Sequence, residues 1–157
     1  MNARSASILI LALVLAAGAH AHGDVTPHPI DTTGLKPLGA DWLPTNPYRG
    51  DTKAVAIGAV GYEHNCAGCH GLDALSGGVA PDLLKLDGDC LRMSAGAKRE
   101  SCLADVDDYF KGVVLHGKRN SEGRYTMPAY ASVFTQEAVW SLKTYIDART
   151  LETAGAK

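Results

Sequence analysis

The chain has 157 residues, 46% of them apolar, 20% charged and 6% aromatic, with a formal net charge of −2. That is the length of one modest domain, and its charge balance excludes a nucleic-acid surface, because no basic block occurs anywhere.

Residues 1–21 read as an export signal. One positive side chain, Arg4, precedes an apolar run from Ile8 to Gly18, and Ala19-His20-Ala21 supplies small residues before a cut. The apolar run is too short for a bilayer core, which needs ~20 residues. The mature chain is expected to begin at His22 and, without Arg4, to carry a net charge of about −3. No later stretch is apolar enough to span a membrane, so the expectation is a soluble periplasmic monomer. That compartment is oxidising, and paired cysteines there form disulfides.

Residues 22–50 hold five of the seven prolines and show no helical periodicity. They read as an extended N-terminal arm lying over the domain, with Trp42 and Tyr48 as anchors.

Residues 51–157 read as an all-α domain. Asp51 caps a helix from Thr52 to about Asn65, with Val55, Ala59 and Tyr62 on one face. Gly58 sits inside it, where glycine costs ~1 kcal/mol against alanine; a close helix–helix approach would explain that. A second helix fits Ala104 to His116, with Val106, Tyr109, Phe110 and Val113 as its stripe and Gly117 as its stop. A third runs from near Thr135 to about Thr150, with Val139, Leu142, Tyr145 and Ile146 on one side. No alternating strand pattern stands out. Three helices joined by glycine-bearing loops bury little apolar area, so something other than side chains must fill the centre.

The stretch HNCAGCHG, residues 64–71, carries two of the four cysteines and a histidine beside the second. Three chemistries use C-x-x-C. A redox dithiol follows a strand in a βαβ setting, which is missing here. A zinc site needs four ligands; Cys90 and Cys102 would have to complete it, yet eleven residues separate them, which suits a disulfide better. C-x-x-C-H is a haem attachment motif. Two thiols at this spacing, Cys66 and Cys69, reach both vinyl groups along one porphyrin edge while His70 comes in beneath the iron. A haem, as a large apolar disc, would also supply the missing core.

With a glycine eight residues before the first haem cysteine (Gly58) and an aromatic four before it (Tyr62), the chain over about residues 51–149 resembles the class I cytochromes c. The resemblance implies that Gly58 packs against an aromatic-bearing C-terminal helix, for which AVWSLKTYI offers Trp140 and Tyr145. It implies that GGVAPDL is the proline loop whose carbonyl, in the Ala80-Pro81 segment, holds the other ring nitrogen of His70. It places the sixth iron ligand in RYTMPAY, at Met127. Met93 is the other methionine of the mature chain, and His116 is a histidine rival. Tyr125 and Arg124 are candidates to hold a haem propionate.

Filled by methionine and histidine, the iron offers no open coordination position, and the pair raises the haem potential. The expectation is therefore a mono-haem electron carrier and not an enzyme. A haem enzyme or a gas or redox sensor needs a displaceable sixth ligand, and a zinc-stabilised binding module needs no haem at all. The arm GLKPLGADWLPTNPYRG, with DVDDYFKGVVLHGK and TMPAY, is similar to periplasmic cytochromes c that accept electrons from pyrroloquinoline quinone (PQQ)-dependent alcohol dehydrogenases. That likeness implies such a dehydrogenase as donor and a respiratory oxidase as acceptor.

Overall fold

The computed structural model describes residues 26–155; the export signal and the expected start at His22 lie outside the described residues. Five α-helices follow in order among the described residues, α1 (Thr52–Asn65), α2 (Ala67–His70), α3 (Gly88–Arg92), α4 (Ala97–His116) and α5 (Gln136–Gly155), with short 3-10 turns at Leu72–Ala74 and Leu83–Lys85. Between α4 and α5 lies a small antiparallel hairpin of β1 (Lys118–Arg119) and β2 (Tyr125–Met127).

α1 starts where the cap places it: the Asp51 carboxylate accepts from the backbone N–H of Lys53 and Ala54. Its mid-helix glycine is a contact point with α5. A Cβ on Gly58 would stand 2.0 Å from the Ser141 carbonyl oxygen and 2.9 Å from Tyr145 Cβ. The Tyr62 and Tyr145 rings meet beside it, centroids 5.3 Å apart. Trp140 faces elsewhere, packing with Leu35, Tyr48 and Ala54.

α4 begins at Ala97, not at Ala104, so Cys102 belongs to a helix and not to a loop. The segment AKRESCLA is rich in good helix formers, and Gly96 starts it with a backbone of φ 139°. Cys102 is bridged to Cys90 on α3, their Cα atoms 5.6 Å apart. α5 also runs on past Thr150, to Gly155. The hairpin escaped the sequence reading because strands of two and three residues are too short to show a period.

The arm docks along α1 and α5. Ile30 covers Gly61, where an added Cβ would come within 2.5 Å of its Cδ1. Leu35 and Tyr48 are buried. Trp42 anchors the arm only in part, with 39% of it exposed, whereas Tyr48 is buried. Backbone hydrogen bonds do that work at this point: the Leu43 N–H donates to Gln136 Oε1 at 2.7 Å, and Gln136 Nε2 donates to the Asp41 carbonyl at 3.0 Å.

α5 is buried on nearly every side, polar residues included. Lys143 is wholly enclosed, paired with Asp87, with Asp147 at 2.5 Å and with Asp107 at 3.4 Å. Arg49 of the arm joins the same group through Asp147 and through Asp107 at 2.6 Å. Asn46 adds its N–H to Asp107 at 2.8 Å. Three carboxylates thus face two cations. Burial, and then contact with Asp87, raises the Asp147 carboxyl well above its ordinary range, whereas for Asp87 burial is outweighed by contact with Asp147 and then by Lys143 and Arg49, which together hold it below its own. Oδ1 of Asp87 has no hydrogen-bond donor among the described groups.

Candidate haem site

α1 ends at Asn65, and Cys66 leaves helical geometry at φ −120° before the single turn of α2. Within that turn the His70 N–H donates to the Cys66 carbonyl at 2.9 Å, which brings the histidine back over the first cysteine. Gly71, at φ 83°, then turns the chain away; a Cβ there would lie 1.9 Å from the Leu75 carbonyl oxygen. The Tyr62 hydroxyl donates to the Gly71 carbonyl at 2.9 Å, tying α1 to the turn. Gly71 is thus as constrained as the residues it follows.

Cys66, Cys69 and His70 line one cavity of about 340 Å³ between α2, α4, the hairpin and α5. Its walls are otherwise mostly apolar, with Phe110, Val114, Leu142 and Ile146 prominent. That volume falls in the range of small-molecule and cofactor sites. Both cysteines are free. Burial, with a smaller effect of Cys69, pushes the Cys66 thiol up to about 12, the reverse of what a redox dithiol needs. Cys90 and Cys102 are joined to each other and cannot complete a zinc site. Among the described residues no group of three or more histidines, cysteines or carboxylates is placed to hold a metal ion.

His70 Nδ1 lies 2.9 Å from the Pro81 carbonyl oxygen. A carbonyl only accepts, so Nδ1 carries the proton and Nε2 keeps its lone pair. Met127, on β2, lines the same cavity with Pro128. Its backbone is held by the pairing with Lys118 and by Gly117, at φ 68°, whose missing side chain would stand 2.4 Å from the Met127 carbonyl oxygen. Met93 and His116 lie on the exposed surface and outside the cavity wall. Tyr125 is also outside the wall, its ring 3.6 Å from the Arg119 guanidinium carbon, and Arg124 is paired with Glu122. At that side of the cavity the lining residues are Lys118, Thr126 and Tyr109, which sequence reasoning did not single out for the site. Tyr109 was visible only as a stripe residue of its helix, and nothing in the pattern marked Lys118.

A soft thioether, an imidazole with a free lone pair and two thiols one turn apart, around an otherwise apolar slot, are the donor set of a covalently bound haem. The comparisons agree. A family model described as "Cytochrome C oxidase, cbb3-type, subunit III" matches residues 53–146. Cytochrome c550 of Pseudomonas aeruginosa is 43% identical over 145 residues, covering 89% of this chain and 90% of that protein. The quinohemoprotein alcohol dehydrogenase ADH-IIG of Pseudomonas putida is 34% identical over 96 residues, which is 61% of this chain and 11% of that protein. No solved structure matches.

The chain belongs to this cytochrome c family, and its helices have the class I arrangement. It is a mono-haem electron-transfer cytochrome with covalently attached haem c.

Proposed function

We propose that Cys66 and Cys69 carry the haem as thioethers, that His70 and Met127 are its axial ligands, and that the protein is a soluble periplasmic carrier, exported by residues 1–21, with no enzymatic step of its own. The observation that carries this reading is that His70 and Met127 open onto the same cavity as both free cysteines. Haem supplies the one-electron couple; the chain's part is to hold it and set its potential. His70 does so through the Pro81 carbonyl, which fixes the ring and raises the basicity of Nε2. Met127 does so as the sulfur partner, filling the position that oxygen or a substrate would otherwise take.

The donor is a PQQ-dependent alcohol dehydrogenase and the acceptor a respiratory oxidase. The support is the likeness of a 96-residue stretch to part of a quinohemoprotein alcohol dehydrogenase, together with the arm and loop sequences noted above. No helix of the described residues is long and apolar enough to cross a membrane, which suits a mobile carrier. Two measurements test the proposal. Met127→Ala should keep its haem, lose the far-red band of the oxidised protein, fall in potential and bind carbon monoxide, while Met93→Ala should do none of these. Stopped-flow reduction by a quinoprotein alcohol dehydrogenase and a short-chain alcohol should be fast and should slow with salt. Reduction no faster than that of an unrelated cytochrome c removes the named donor and leaves the carrier.

A further inference from the structure

We infer that Lys118 is the counter-ion of a haem propionate and thereby a positioning residue that holds the haem potential up. The inference rests on the cavity being the haem site and not on which enzyme supplies electrons.

Haem brings two carboxylates into any site it occupies, on the porphyrin edge away from the vinyl groups. A carboxylate drawn into an apolar slot without a partner is costly. The cavity wall offers few partners. Its one lysine or arginine among the described residues is Lys118; its one carboxylate is Asp82. Asp82 is already engaged, accepting from the Leu84 N–H at 3.1 Å and pairing with Lys85 at 3.5 Å.

Lys118 differs from the other cations nearby. Lys111 is paired with Asp108 at 2.9 Å and Arg124 with Glu122. Arg119 donates to the Gly123 carbonyl at 2.5 Å and covers Tyr125. Lys118 has no carboxylate partner among the described residues; its ammonium sits 4.9 Å from the centre of the Tyr109 ring. An aromatic face steers a cation without neutralising it. Tyr109 and Thr126 also line the wall, and the Thr126 hydroxyl donates to the Lys118 carbonyl at 3.4 Å. The wall thus offers one exposed positive charge with no carboxylate partner among the described residues, which is what a propionate requires.

The same residue is tied to the sulfur ligand. Lys118 is the cross-strand partner of Met127 in the hairpin. The strand pair that presents the thioether on one axial side therefore carries the cation for the haem edge. A positive charge there disfavours the ferric state, which bears one more positive charge than the ferrous.

The test is the midpoint potential of the purified holoprotein as a function of pH for K118Q, K118R and K111Q. K118Q should have a lower potential, and the pH-dependent segment due to propionate should move to higher pH, because the carboxylate has lost the charge that favours its ionised form. K118R should restore both, and K111Q should match the parent. A K118Q protein that keeps the far-red band yet has an unchanged potential and pH profile overturns the inference. So does an equal shift in K111Q, which would report surface charge alone. Should K118Q lose the band, resonance Raman spectra decide. A propionate bending mode displaced from that of Met127→Ala supports the contact, and one that coincides with it overturns the contact. A parent protein without covalent haem would instead remove the site itself.

Discussion

The two long faces of α5 are solved by different means. On one, Leu142 and Ile146 look into the 340 Å³ cavity, which the polypeptide leaves open. On the other, Trp140, Lys143 and Asp147 are closed over by the arm, by the start of α3 and by the middle of α4. The first face borders a space that a haem would fill. The second is completed by the chain, with charge in place of apolar volume. Over residues 136–150 the chain buries both faces of α5, Leu142 and Ile146 being only 1% and 2% exposed, although one face also borders the open cavity.

Removing the cofactor should do the greatest damage. A void of this size, charged at the rate measured for cavities left by core truncations, costs on the order of 8 kcal/mol, which is within the whole stability of an ordinary domain. The Cys66→Ala, Cys69→Ala double variant should accordingly yield little folded protein. Soluble yield and the loss of cooperative melting by circular dichroism check this. A sharp melt near that of the parent would show that the haem face closes by itself.

Breaking the charged face should cost less, though still heavily. Lys143→Ala leaves three buried carboxylates with Arg49 alone, and removal of one partner from a buried group costs about 3–5 kcal/mol. Denaturant titration followed at the Soret band measures it. The pH dependence has two limbs. Asp87, held below its ordinary value, contributes stability that is present above its unfolded value and lost as pH falls through its folded one. Asp147, held above its ordinary value, contributes stability that is complete at low pH and lost as pH rises through its folded value. Asp147→Asn should therefore abolish the loss on the alkaline side and leave the acid limb in place. An alkaline limb that persists in this variant would assign the proton elsewhere.

The smallest effect separates the arm's own anchors. Trp42→Ala, at a site only partly covered, should cost clearly less than the loss of a buried aromatic. Tyr48→Ala, which empties a buried site beside Trp140, should cost about 3 kcal/mol or more. Equal costs in denaturant titration would mean that the indole docks after all.

Much of the haem face was legible in the sequence. The attachment turn is written in five consecutive residues, and its chemistry depends on their spacing alone. α1 was legible to the residue, from the Asp51 cap to Asn65, because capping and glycine–aromatic spacing act over one or two turns. The charged face was not legible. Lys143 and Asp147 look like solvent-facing residues of an amphipathic helix until Asp87, 56 positions from Lys143, and Arg49, 98 positions from Asp147, are brought to them.

The sequence by itself therefore determined the cofactor and the helical class, because each rests on patterns within a few residues along the chain. Tertiary structure alone decided that Lys118 stands in the cavity wall with no carboxylate partner among the described residues, that Cys102 bridges from a helix, and that a lysine is enclosed with three aspartates. Those outcomes depend on which distant segments meet. Burial and the strength of a charge interaction are properties of that meeting, so no local pattern records them.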